Sequence, residues 1–215
     1  MDTGFTSAEN GTVTVTELRE NAPKRFLVGF SDGSELKLSL DIVADLSLYN
    51  GRVLSEQEYA ALKTSAGLSQ CKERALRIIG ARPLSSKALY DRLLEKGETP
   101  ENAQETVEWL IRLHYLDDAQ YADMVVRHYA GKGYGVQKIK GELFRRGVPK
   151  TYWEDALEER PEMDDKVYEL LSKRLGGTQP DRAELKKATD ALFRRGFTWD
   201  EINAAVRRYS AENQQ

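Results

Sequence analysis

Leu143-Phe144-Arg145-Arg146-Gly147 and Leu192-Phe193-Arg194-Arg195-Gly196 are the same pentapeptide, LFRRG, and Leu93-Leu94-Glu95-Lys96-Gly97 is a near copy. The three glycines, at 97, 147 and 196, are 50 and then 49 residues apart. Such a phrase marks either a chemical site used three times or a structural unit used three times. The flanking residues favour the unit. Leu93, Leu143 and Leu192 stand four residues before each glycine, and Leu89, Ile139 and Ala188 stand eight before. Those offsets share one face of an α-helix, so each glycine closes an amphipathic helix. A second apolar face follows, at Ala103 and Val107, Trp153 and Leu157, and Ile202 and Val206. Thr99-Pro100 marks its start in the first copy, and a Thr198/Glu201 capping box does so in the third. Upstream of each glycine helix lies another helical run, over Cys71–Ala81, Ala119–Ala130 and Lys166–Leu175.

The expected architecture is therefore mainly α: three tandem three-helix repeats in an elongated stack, over residues 66–117, 118–163 and 164–215. Gly97, Gly147 and Gly196 are expected at C′ positions, where a helix ends in the left-handed conformation that glycine adopts cheaply. Basic residues just before them favour the negative end of the helix dipole. The phrase reads as punctuation rather than as three phosphate clamps.

Residues 1–65 differ. Valines alternate with threonines in Thr12–Leu18, and Arg25–Phe30 and Glu35–Leu40 alternate in the same period of two. Phe26, Val28 and Phe30 are expected on one face, as are Leu36, Leu38 and Leu40. Asp32-Gly33 between two such runs is a hairpin signal. The reading is a small three-stranded antiparallel meander, with helical pattern from Asp41 and a helix over Glu56–Lys63 opened by a Ser55/Glu58 capping box. This block is acidic, with six Lys/Arg against ten Asp/Glu up to residue 66.

Composition, 40% hydrophobic and 31% charged, suits a folded protein with a wet surface. The opening MDTGFTSAENG lacks a basic and an apolar region, which argues against secretion. No apolar run approaches the roughly 20 residues of a membrane span. Cys71 is the only cysteine, in keeping with a reducing cytoplasm, the expected location.

Catalytic constellations find no support, and no enzyme is expected. GKGYG, Gly131–Gly135, lacks the spacing and the Lys-Ser/Thr ending of a P-loop and follows a helix rather than a strand. His114 and His128 are the only histidines, too few with Cys71 for a zinc signature, and neither metal nor cofactor is expected. Asp117-Asp118 reads as the cap and first turn of a helix beginning near Ala119 rather than as an acid/base pair.

Charge is more informative. Between Arg127 and Lys150 seven basic residues (Arg127, Lys132, Lys138, Lys140, Arg145, Arg146, Lys150) face one acid, Glu142. Thr151–Asp165 then carries seven acids against Arg160. The two helices either compensate one another or direct a basic strip at a polyanion or acidic protein. With Ile139 and Leu143 inward, Lys138, Gly141 and Arg145 fall outward. Lys138 and Arg145 are thus the leading candidates for partner contact, with Lys132, Lys140 and Arg127 beside them. Arg146 is nearer the core edge and structural. Reversing the charges of Lys138 and Arg145 is expected to leave the core intact.

Two phrases then carry a family resemblance: Tyr115-Leu116-Asp117-Asp118 with Tyr121-Ala122, and Gly133-x-Gly135-x3-Ile139-x3-Leu143-x3-Gly147. With the rest of Cys71–Lys150 they resemble the RecX family, bacterial regulators of the recombinase RecA. The third repeat is similar more loosely, and the N-terminal block resembles an extension of some members. The resemblance implies three-helix repeats that bind the groove of the RecA filament on single-stranded DNA and modulate, usually inhibit, its ATP hydrolysis, strand exchange and persistence. It thereby implies a place in recombination, DNA repair and the SOS response. His114 stands where the family phrase would have glycine, which is expected to alter the turn before Asp117. A monomer with no membrane contact is expected, with weak direct DNA binding as a secondary property. The competing readings are a direct nucleic-acid binder using its units like helix-turn-helix modules, and a helical scaffold for another protein. A net charge of −3 weighs against the former.

Overall fold

A computed structural model describes residues 11–177 and 179–213; the stretch read for a secretion signal, all but Gly11, lies outside them. The described chain has four strands, β1 (Val13–Ala22), β2 (Arg25–Phe30), β3 (Glu35–Ser39) and β4 (Val53–Leu54), and ten α-helices. The helices are α1 (Leu40–Asp45), α2 (Glu56–Ala81), α3 (Ser86–Glu95), α4 (Pro100–Arg112), α5 (Asp118–Gly131), α6 (Val136–Arg145), α7 (Trp153–Glu158), α8 (Asp164–Leu175), α9 (Arg182–Arg194) and α10 (Trp199–Glu212). One 3-10 turn, Lys150–Tyr152, precedes α7. The fold is mainly helical with a small N-terminal antiparallel sheet, and α2 to α10 supply three successive three-helix units.

The sheet has the order β3-β2-β1-β4, all antiparallel. Two-residue β4 adds a strand to the expected three, because Val13 and Thr14 pair with Leu54 and Val53. Leu40 departs from the face expected for it: it opens α1 and is 40% exposed, while Leu36 and Leu38 pack on the sheet's core. Gly33 takes the positive φ of the expected hairpin turn, +81°. The Ser55/Glu58 capping box forms in full. The helix it opens does not stop at Lys63 but runs unbroken to Ala81, through residue 66 where the first repeat was expected to begin. Gly67 inside α2 is no breaker. The Nδ2 of Asn102 in α4 lies 3.0 Å from where its Cβ would be, so glycine there admits the neighbouring helix.

By contacts the chain forms two units. One takes the chain through Ala81 with Tyr90–Trp109; the other takes Arg82–Leu89 and Leu110 onward. Repeats two and three share one core, in which Ile139, Leu143, Val167, Leu171, Phe197 and Ile202 are fully buried.

Gly97, Gly147 and Gly196 end α3, α6 and α9 with φ of +85°, +68° and +90°. Each helix closes with the same pair of bonds, glycine N–H to the carbonyl three back and the next N–H to the carbonyl five back. Gly133 closes α5 in this way, and so does His114 after α4, at φ +57°. The histidine therefore does not alter the turn before Asp117; the hydrogen bonds of Tyr115 N–H to Leu110 C=O and His114 N–H to Ile111 C=O impose it.

The glycines do more than end helices. Gly135 N–H donates to Arg195 C=O (2.9 Å) and Gln137 N–H to Gly196 C=O (3.0 Å), so the unpaired donors that start α6 meet the unpaired acceptors that end α9. A Cβ on Gly196 would sit 2.3 Å from the nitrogen of Lys138, and one on Gly135 2.3 Å from the backbone of Gly196. The end of α6 meets the start of α3 likewise, where buried Ser85 donates its hydroxyl to Arg146 C=O at 2.6 Å and accepts from Ala88 N–H. After α3 the corresponding carbonyl, that of Lys96, is taken by the Arg74 guanidinium at 2.7 Å, and nothing lies within 4 Å of a Cβ on Gly97.

Gly97→Ala is therefore expected to cost only the left-handed backbone, about 1–2 kcal/mol. Gly196→Ala adds steric displacement and is expected to cost about 1–3 kcal/mol beyond that. Urea unfolding followed by helical circular dichroism compares the two. Equal losses would mean that the joint has slack.

Candidate partner-binding face

The basic face belongs to α6 and the segments that hold it. Ile139 and Leu143 are fully buried, and Lys138, Lys140, Gly141 and Arg145 are exposed, as their spacing requires. The departure is Glu142, the one acid of the strip. It is 5% exposed, and it organises the cations around it. Its carboxylate accepts from Tyr129 Oη (2.9 Å) and from Arg145, and lies 3.7 Å from Lys138 Nζ and 3.9 Å from Arg146 Nε. Burial opposes its ionisation, yet hydrogen bonds from Arg145 and Tyr129, with the charges of Arg145 and Lys138, hold its pKa below the usual value.

Lys138 and Arg145 are thus exposed and also tied down. Reversing both charges would set two carboxylates against a buried third, so the expectation of an untouched core needs correction. Arg146 is inside this network, donating to Tyr121 Oη (3.1 Å) and Tyr129 Oη (3.2 Å), with its guanidinium 5.7 Å from the Tyr129 ring centre. Arg127 lies 3.8 Å from Asp123 on its own helix, and Lys132 Nζ stands 5.9 Å from the Tyr129 ring centre. Lys140 and Lys150 have no acid within ion-pair reach among the described residues; with Trp153, Glu154 and Glu158 they line an open cavity of about 550 Å³.

Asp117 and Asp118 are divided between two helix starts. Asp117 caps α5, accepting from Gln120 N–H at 2.9 Å. Asp118 reaches back to α3, accepting from Ser86 N–H at 2.8 Å and from the Ser86 hydroxyl. Leu116 is buried beside them, and Tyr115 is 63% exposed. In GKGYG, Gly133 ends α5 and Gly135 starts α6, so the loop holds helix ends in place.

Sequence reasoning missed Glu142 as the hub. Its signal was spacing: Lys138, Arg145 and Arg146 lie four before, three after and four after it. It also missed the outward rings of Phe144 and Phe193, which are 72% and 50% exposed.

Comparison with known proteins follows the same divisions. Family models described as the first, second and third three-helix domains of RecX match residues 71–110, 117–157 and 162–206, together more than half of the chain. A curated relative from Xanthomonas oryzae pv. oryzae, named Regulatory protein RecX, is 36% identical over 137 residues, 63% of this chain and 86% of its own. One from Streptococcus gordonii, with the same name, is 24% identical over 199 residues, 91% of this chain and 77% of its own. Among solved structures, one of regulatory protein RecX aligns with a TM-score of 0.72 at 20% identity, covering 89% of this chain and 97% of that one. RecX from Lactobacillus salivarius aligns with a TM-score of 0.64 at 22% identity, over 68% and 99%.

Because the Glu142 pKa is lowered on folding, its contribution to stability is complete above the usual glutamate value of 4.5 and is lost as pH falls through its depressed value. Glu142→Gln is expected to flatten the acid limb of the stability–pH curve and to lower stability at neutral pH. Tyr129→Phe, which removes one hydrogen bond to the carboxylate and one from Arg146, is expected to cost about 1–3 kcal/mol at neutral pH. Thermal unfolding between neutral pH and pH 3 checks both.

Proposed function

We propose a function from one premise: this chain belongs to the RecX family of regulatory proteins. The chain acts by binding RecA filaments assembled on single-stranded DNA, lying in the filament groove as a monomer and inhibiting ATP hydrolysis, strand exchange and filament persistence. Tandem repetition is the observation that carries this reading. Three similar units match a partner that is itself periodic, and contact with several of its subunits raises avidity without one very tight site. The exposed cations of the second repeat are the proposed contacts. Lys140 and Lys132 lead, being free of acid partners within ion-pair reach among the described residues, and Lys138, Arg145 and Arg127 follow. No helix among the described residues is long and apolar enough to cross a membrane.

Direct DNA binding is the weaker reading. The basic strip carries its own buried carboxylate, and α7 beside it adds Glu154, Asp155 and Glu158.

The deciding measurement is cosedimentation with preformed RecA filaments and with bare single-stranded DNA, together with RecA's DNA-dependent ATP hydrolysis. Association with the filament well above that with bare DNA, and falling hydrolysis, are expected. Equal binding to bare DNA, declining steeply with salt, would transfer the role to the nucleic acid. Lys140→Glu is expected to keep the helical signal and weaken filament association about three- to tenfold, chiefly through the on-rate.

A further inference from the structure

Within LFRRG the fold accounts for three residues in both copies. Leu143 and Leu192 are buried in the shared core. Gly147 and Gly196 take positive φ and abut the start of the preceding repeat's glycine helix, α3 and α6 respectively. The second arginine is held in place each time: Arg146 by the hydroxyls of Tyr121 and Tyr129, and Arg195 by Gly133 C=O at 3.2 Å and the Tyr134 ring at 5.6 Å. The phenylalanine and the first arginine differ: Arg145 pairs with Glu142 and Phe193 stacks on Trp199, and neither contact recurs in the other copy. Phe144 is 72% exposed and Phe193 50%, and Arg145 and Arg194 are exposed beside them. A solvent-facing position near a helix end is served as well by lysine or glutamine, and neither ring is needed to fill a core. No contact common to the two copies therefore explains why the same pair stands in both. In the first repeat Leu94 and Glu95 stand at these positions.

We propose that Phe144-Arg145 and Phe193-Arg194 are two copies of one docking element, each seating its ring in an apolar pocket with an acidic rim on successive subunits of a protein polymer. The inference rests on the reading that the polymer is the RecA filament, and it names the contact through which two subunits are held. Phenylalanine and arginine are both enriched at protein interfaces relative to the rest of the surface. Charge favours a protein over nucleic acid. Arg145 already shares the Glu142 carboxylate, so this site supplies a guanidinium with donors to spare rather than a field for a polyphosphate. One face of the Phe193 ring is also occupied, stacked on Trp199 at 5.1 Å and 21°, which widens an apolar stud but removes a surface for a nucleobase.

The test uses the full chain with Phe144→Ala, Phe193→Ala and the double variant, titrated against preformed RecA filaments and, in parallel, bare single-stranded DNA. Each single variant is expected to weaken filament binding about tenfold, and the double variant about a hundredfold, with helical signal and thermal transition kept. If the wild-type chain binds filaments and the double variant binds them within twofold as well, the studs are idle and this inference fails while the filament reading stands. If the wild-type chain does not bind filaments, the filament reading fails first and takes the inference with it. Equal wild-type binding to bare DNA, lost in the double variant, would make the rings a nucleobase platform and overturn the protein pocket. Were the double variant to lose its helical signal, Arg194→Gln carries the test. About threefold weaker filament binding is expected of it, and unchanged affinity would overturn the proposal.

Discussion

The repeats depend on partners for the backbone groups left open at helix ends. A helix leaves donors unpaired at its start and acceptors unpaired at its end, and in a packed interior each needs a partner. Here they partner one another. The carbonyls of Arg195 and Gly196 take the N–H groups of Gly135 and Gln137, and the macrodipoles of α9 and α6 then meet with opposite ends in contact. Such an approach leaves no room for a side chain on either strand of the joint. A Cβ would lie 2.3 Å from main-chain atoms at Gly135 and Gly196. The α6–α3 joint is looser, because a serine hydroxyl spans the gap that bare backbone closes elsewhere. A Cβ on Gly147 would accordingly stand 3.3 Å from its nearest neighbours.

Fixing α6 at both ends fixes the direction in which its charges point. Glu142 turns inward from that helix and remains ionised in a buried place because two cations and a tyrosine hydroxyl converge on it. Arg145 and Lys138 are therefore oriented before any partner arrives, which lowers the entropy lost when they bind. A strip of seven unconstrained cations would behave as a diffuse field. With one buried carboxylate it becomes a patterned surface, part neutralised and part free.

Much of this was legible in the sequence. The glycine register, the Ser55/Glu58 and Thr198/Glu201 boxes and the Asp117 cap follow from short-range rules, since their partners lie within a few residues. Long-range causes stayed hidden. Gly67 looks like a helix breaker in sequence, whereas in space it is the place where Asn102 approaches α2. The β4 strand is two residues long, too short to show a period. Glu142 sat in view with cations four before, three after and four after it, but a strip read as outward-facing concealed an inward carboxylate. His114 shows the converse error: a residue preference counted against the turn, and the hydrogen-bonded frame of the helix end overruled it.

A series of such joints must also stop, and the first repeat shows how. The same carbonyl, one residue before the glycine, is bonded in all three units: Arg195 by Gly135 N–H, Arg146 by the Ser85 hydroxyl, and Lys96 by the Arg74 guanidinium. Only the third of these donors is a charged side chain, and it comes from α2 rather than from the start of another glycine helix. Arg74 also pairs with Glu98 at 3.0 Å, so its position is held from two sides. Where a fourth repeat would offer backbone, this chain offers a guanidinium that satisfies the carbonyl and leaves Gly97 open. The long continuous α2 then has a physical purpose. Its first half packs on the sheet and its second half supplies the residue that ends the repeat series, so the N-terminal block and the terminating contact are carried by one helix.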